Sequence, residues 1–246
     1  MQAPDELRAL IEDYLAGLEL SNELGDLRDS MHYALAGGGK RIRPVLCLAT
    51  AEAIGLEPER ALPAAAALEL VHSFSLVHDD LPALDDDAER RGRPSTHIQW
   101  GEAVAILAGD ALLGEAVRLA LTYPSPAVAR ELIAATQGMI GGQFLDITES
   151  GDLVELHRLK TGRLFAAAVG LALEVAELPE PEQAPWRAFA DELGLLFQLV
   201  DDLLDRDGYV LLRGVEETRR LADEAAARAR AKLTEIAADT SVLEEI

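Results

Sequence analysis

Apolar residues recur at three-to-four spacing over Leu7 to Leu18, Val45 to Ile54, Ala61 to Val77, Ala103 to Leu121, Val128 to Ile140, Leu156 to Val175, Trp186 to Leu204 and Gly214 to Ile236. That period places one apolar stripe on a helix. Strand signals are nearly absent: Ala, Leu and Glu dominate, and the one Asp-Gly dipeptide, Asp207-Gly208, lacks alternating flanks. Breakers fall between the segments, at Gly37-Gly38-Gly39, Pro63, Gly92 to Pro94, Tyr123 to Pro126, Ser150-Gly151 and Leu178 to Pro181. The stretches Ala61 to Val77 and Ala103 to Leu121 are apolar nearly all round, which predicts central helices buried on most sides. The Ala/Arg/Glu-rich stretch from Glu216 to Lys232 reads instead as an exposed helix. The expected fold class is all-α, a large helical bundle.

Composition narrows this picture. With 246 residues, 49% of them apolar, the chain can bury a sizeable core, and nothing forces a second domain, so residues 1–246 are read as one. A formal charge of −22 argues strongly against nucleic acid as a partner and leaves no basic patch for an anionic bilayer. Cys47 is the only cysteine, which rules out an internal disulfide or a multi-cysteine zinc site and suits a reducing, cytoplasmic setting. The acidic amphipathic start, Met1 to Arg8, does not read as an export signal. No uninterrupted apolar run of membrane-spanning length is expected, since Asp110, Glu115 and Arg118 break even the Val104 to Leu121 region.

Two acidic clusters stand out against that background. Asp79-Asp80 and Asp85-Asp86-Asp87 follow one apolar run; Asp201-Asp202 and Asp205 follow another. Ionised carboxylates ending long apolar segments are costly unless a cation meets them, and such clusters suit magnesium bridged to a phosphate-bearing ligand. Helical spacing puts Asp201 and Asp205 on one face with Asp202 close by. Asp79 and Asp85 would diverge on a regular helix, but Pro82 must disturb the turn and can bring them together. Solvated acidic helix ends are the plainer alternative for either cluster alone. Cations that could meet a second anion occur at Lys40 and Arg43, which share a face if the helix starts at the glycine run, and at Arg90-Arg91. The glycine run lacks the spacing and preceding strand of a nucleotide-binding loop. His72, Gln143 and the Lys160-Thr161-Gly162 step carry little alone.

Together these residues resemble the trans-isoprenyl diphosphate synthases of the polyprenyl synthetase family, the bacterial farnesyl and geranylgeranyl diphosphate synthases above all. The likeness runs from about Met31 to Asp205, in the family's order: Gly-Gly-Lys-Arg-Ile-Arg-Pro, Glu69-Leu-Val-His72, the first Asp-rich motif with Arg90-Arg91-Gly92, Ala108-Gly-Asp110, Gly-Gly-Gln143, Lys160-Thr-Gly and Phe197-Gln198-Leu-Val-Asp201-Asp202. It implies a helical homodimer, each subunit built around a central cavity with the two Asp clusters across its mouth. By the same likeness, Asp79, Asp85 and Asp201 would ligate several magnesium ions, supported by Asp80, Asp202 and Asp205. Arg90 and Lys160 would hold an allylic diphosphate (dimethylallyl or geranyl). Lys40, Arg43, His72 and Arg91 would hold isopentenyl diphosphate, with Thr161 and Gln198 near the reacting carbons and Gln143 among the binding residues. The implied reaction is ionisation, condensation and elimination. Phe74 and Ser75 precede Asp79 by five and four positions, so Phe74 lies roughly 7 Å down the helix, where its ring would floor the cavity. In the family an aromatic there, with the Pro82-Ala83 insertion, goes with farnesyl diphosphate; geranylgeranyl diphosphate is the near rival, and plain core packing the alternative for Phe74.

One departure is plain. After Asp205-Arg206-Asp207-Gly208 the family continues through a flexible loop carrying another lysine, whereas here Tyr209 to Gly214 follow at once. Either the lid is lost, or a mobile segment belongs between Gly208 and Tyr209 and the numbering runs across it. A Cα spacing well above about 3.8 Å at that join would decide for the second, which is the expectation, and the stretch around Ser150-Gly151 is open to the same question. Two other functions stay open: a terpene cyclase or head-to-head condensing enzyme, which would need no isopentenyl site, and a non-catalytic diphosphate-binding regulatory subunit.

Overall fold

Helices carry nearly every apolar stripe to one side in the computed structural model, which describes residues Met1–Ile246. In chain order they are α1 (Pro4–Ala16), α2 (Leu27–Leu35), α3 (Ile42–Ala53), α4 (Pro58–Asp79), α5 (Thr96–Trp100), α6 (Glu102–Ala120), α7 (Ala127–Ile147), α8 (Leu153–His157), α9 (Arg163–Val175), α10 (Glu180–Asp205), α11 (Gly208–Arg213) and α12 (Val215–Thr234). All eight periodic segments fall on helices. Between α8 and α9 the chain widens into a π-helical turn, Arg158–Gly162.

α4 is the centre. Pro58 opens it with a fixed φ and no unsatisfied N–H, and its Ala-rich run Ala64 to Ala67 is fully buried. Such small side chains let α3, α6 and α9 pack closely around it. By length and composition α4 could cross a membrane, although Glu69 interrupts its apolar run. It lies inside the bundle, however, with 72% of its most apolar stretch buried. α10 lies along α9 and α12, and α12 shows its charged face outward, as its composition predicts.

The elements not foreseen are α2, the short helices α5 and α11, and a two-stranded antiparallel hairpin, β1 (Glu89–Arg90) with β2 (Arg93–Pro94). The hairpin turns through Arg91 (φ 54°) and Gly92 (φ 77°), a left-handed pair that a glycine makes feasible.

The chain runs directly from Gly208 to Tyr209. Arg206 ends α10 in the left-handed region, Gly208 follows at φ 45°, and the Tyr209 N–H donates to Asp202 Oδ2 at 2.7 Å, so the chain turns directly into α11. The Ser150 N–H donates to the Leu145 carbonyl at 3.0 Å.

Candidate active site

Two cavities meet at the π-helical turn. The larger, about 620 Å³, runs between α4, α6, α7 and the start of α9; Arg43, His72, Asp79, Asp110, Gln143, Lys160 and Thr161 supply its polar groups, and Phe74, Leu113, Met139, Ile140, Phe144, Ile147 and Leu164 much of its apolar wall. The second, about 340 Å³, lies against the end of α10 and is lined by Asp146, Gln198, Asp201, Asp202 and Asp205. Lys160 and Thr161 line both, so a carboxylate group lies on either side of one lysine.

The first group forms because α4 ends at Asp79. The chain turns tightly through Pro82, which cannot continue the helix, and the Asp85 N–H comes back to the Asp79 carbonyl at 2.9 Å. Asp79 lines the cavity and Asp85 sits on the exposed turn beside it. Burial pushes the Asp79 carboxyl up to about 6; Lys160 and Arg90 oppose the shift, while Asp85 and Asp80 add to it.

Asp80, expected to support magnesium, is held by an arginine in this structure. It is 2% exposed and turned to the far side of the last turn of α4, where it accepts from Arg90 Nε at 2.7 Å and pairs with Arg90 Nη2 at 2.5 Å. Arg90, expected to hold the allylic diphosphate, faces Asp80 and Asp87 here and does not line the large cavity. A buried carboxylate needs a partner, and β1 brings Arg90 within reach.

On α10 the expected spacing holds. Asp201 and Asp205 reach the second cavity from one face. Burial raises the Asp201 carboxyl, Asp205, Asp202 and Asp207 raise it further, and Arg43 opposes them. Asp202 is instead a buried bracket, accepting from Gln198 Nε2 at 2.7 Å and from the Tyr209 N–H. The Gln198 amide is therefore occupied on its nitrogen side.

The cations take two arrangements. Arg43 and His72 stand together at the cavity wall, Nη1 and Nε2 3.5 Å apart, with the Arg43 guanidinium 4.8 Å over the Phe165 ring. Burial, then Arg43, Arg91, Arg41 and Arg90, push His72 well below the usual imidazole range, so it is neutral at pH 7. Arg91 donates to the Gly38 carbonyl across the glycine run. Gly39, at φ 128°, makes room for it, since a Cβ there would lie 2.9 Å from Arg91 Cζ. Lys40 departs from expectation: α3 starts at Ile42, because Arg41 is left-handed (φ 49°) and cannot extend the helix backward, so Lys40 stays exposed on the loop.

Lys160 reaches Asp146 Oδ2 at 2.5 Å. Asp146 was missed by sequence reasoning, though it lies one helical turn from Gln143 on α7 and so belongs to the same motif; Asp110 was quoted but given no role. Both amide atoms of Gln143 are buried without a partner at the cavity wall, which is what a polar group waiting for a ligand looks like. Phe74 and Ser75 both line the cavity, the Phe74 ring edge-on to His78 at 5.1 Å.

No three ligating side chains converge into a ready-made metal site. All-oxygen donors, in two groups whose carboxyls burial and mutual repulsion push up, nevertheless fit a hard divalent cation that takes one or two carboxylates and completes its shell with phosphate oxygens and water.

An all-α bundle with carboxylate groups on either side of a lysine, above an apolar cavity, defines the class of enzymes that join prenyl diphosphates. The chain belongs to the polyprenyl synthetase family, whose model matches residues 25–209. It is 40% identical to a geranylgeranyl diphosphate synthase of Cyanophora paradoxa, over 81% of this chain and 72% of that one. With a farnesyl diphosphate synthase of Bacillus subtilis it shares 39% identity, over 74% and 67% of the two chains. The crystal structure of an apo FPP/GFPP synthase from Zymomonas mobilis superposes with a TM-score of 0.86 at 31% identity, covering 98% of this chain and 97% of that one.

Proposed function

We propose that the chain is a magnesium-dependent short-chain trans-prenyltransferase that condenses isopentenyl diphosphate with an allylic diphosphate and stops at farnesyl diphosphate. Magnesium, when bound, draws charge off the diphosphate leaving group as its carbon–oxygen bond breaks. Asp79, Asp85, Asp201 and Asp205 are the residues that would hold it, and Lys160 would hold the allylic diphosphate between them. Arg43, His72 and Arg91, with Lys40 from its loop, would take the isopentenyl diphosphate, so that one anion is met by metal and the other by side chains. The apolar wall keeps water from the allylic cation, while the amide of Gln143 and the hydroxyl of Thr161 offer dipoles beside it. The released diphosphate is the base for the last proton, so no protein nucleophile is required.

The observation that carries this reading is the cavity itself, with Asp79 and Lys160 among its polar groups and Phe74 on its wall. A bulky ring one to two turns below the carboxylate supports a fifteen-carbon product over the twenty-carbon alternative. The test is incubation with magnesium, labelled isopentenyl diphosphate and dimethylallyl or geranyl diphosphate, followed by sizing of the products. A fifteen-carbon alcohol after dephosphorylation supports the reading. A twenty-carbon one selects geranylgeranyl diphosphate, and diphosphate binding without product would make the chain a non-catalytic subunit.

A homodimer belongs to the proposal. Leu107 on α6 and, at the open edge of the cavity, Ile140, Phe144 and Ile147 on α7 are 55%, 48%, 59% and 56% exposed, and a second copy of the chain laid over them would close the wall against water. Light scattering on the eluted protein measures it. A cytoplasmic setting completes the reading, supported by a lone cysteine that is fully buried.

A further inference from the structure

Arg41 and Glu69 form an ion pair inside the protein, with side chains only 6% and 4% exposed. No other acid contacts Arg41, and neither residue lines the large cavity. The other end of the Arg41 guanidinium donates to the Leu35 carbonyl at 2.5 Å, so one side chain ties the end of α2 to the start of α3 and closes the glycine loop between them. Its backbone is left-handed there and its carbonyl accepts the Val45 N–H at 3.0 Å, the first turn of α3. Lys40 precedes Arg41, Arg43 follows it by two, and the Gly38 carbonyl that receives Arg91 lies in the closed loop. Glu69 is also the foremost charge supporting the protonated forms of Arg43 and Arg91 against burial.

We infer that the Arg41–Glu69 pair is a positioning element for the diphosphate of isopentenyl diphosphate: it touches no substrate, but it fixes the loop that sets Lys40, Arg43 and Arg91 around one anion. The inference rests on the proposed function and assigns work to two residues outside it. A glycine-rich loop that carries Lys40, leads into Arg43 and receives Arg91 needs an internal anchor, because cations repel one another and glycines resist ordering. Groups that bind a diphosphate have to be held to within a fraction of an ångström to act together.

The decisive variant is the double substitution Arg41→Met with Glu69→Met. It removes one charge of each sign, so the total charge around the anion is unchanged, and replacing a whole buried pair by apolar side chains leaves the fold standing where removing one partner would strand a charge. Steady-state kinetics are measured with each substrate varied in turn. The KM for isopentenyl diphosphate should rise about tenfold or more, while the KM for the allylic diphosphate stays within about twofold, because the allylic site is built on α4, α7, the π turn and α10. A purely structural role would move both together or neither, and either result overturns the inference. Glu69→Asp keeps the charge and draws the anchor back by one methylene; it should raise the same KM several-fold, and if the double variant does not fold, an unchanged KM in Glu69→Asp overturns the inference on its own. A wild-type chain that makes no prenyl product would sink the functional reading first, an outcome distinct from an active wild type with an indifferent pair.

Discussion

The Asp85 N–H donates to the Asp79 carbonyl at 2.9 Å, across a six-residue turn that holds Pro82. This bond keeps two carboxylates adjacent where a regular helix would part them. Asp79→Asn should therefore lower kcat by about 10²-fold or more, as loss of one group at a developing charge commonly does. Asp85→Asn, on the exposed side, should act in the same direction and raise the magnesium concentration needed for half-maximal rate. Initial rates across a magnesium titration measure both, and a chelator should abolish the activity until magnesium is restored.

Phe74→Ala should lengthen the product. The ring lines the cavity, and its removal opens the space below Asp79 and Ser75. The sized products should shift from fifteen carbons toward twenty or more, with a stability loss of up to about 3 kcal/mol for the emptied volume. An unchanged product would mean that Phe74 is only packing.

Helix positions were legible because the bundle is held by continuous apolar stripes, and so were the acidic clusters, whose spacing needs only local geometry. α2 escaped because Met31 and Leu35 are nearly all that it buries besides Ser30. The hairpin escaped because two residues per strand leave no alternation to read. What each buried charge pairs with was not legible either: Asp80 chooses Arg90 and Asp202 the Tyr209 N–H through contacts that spacing along one helix does not encode. Lys40 was placed on a helix face for want of any sign that Arg41 turns left-handed.

His72→Asn should flatten the acid side of the stability profile. The folded protein holds His72 neutral, because burial and then its arginine neighbours lower its pKa from the ordinary 6.5. Its contribution is thus complete above 6.5 and is lost as pH falls through that value toward the folded pKa, by at most about 1.4 kcal/mol per pH unit. Thermal unfolding at pH 7.5 and pH 5.5 checks this; the variant should lose less between the two than the wild type.

Gly142→Ala should disable the site from behind. A Cβ at that position would lie 2.6 Å from Lys160 Cα, against backbone that cannot swing aside. A destabilisation of about 1–3 kcal/mol is expected, with a larger proportional loss of activity, since the strain falls on Lys160 itself. Gly141→Ala, with open space around it, is the control, and denaturant unfolding beside initial rates separates the two effects.

The widened turn from Arg158 to Gly162 has a consequence for how this region tolerates change. A π turn is an ordinary helix carrying one residue too many, and removing that residue would close the turn to regular α geometry and swing the side chains within it around the axis. Lys160 looks into both cavities from within this widened turn. Single-residue deletions here, harmless to helix content by circular dichroism, would take the lysine out of the gap between the carboxylates. The segment can accept new side chains far more readily than it can accept a new count.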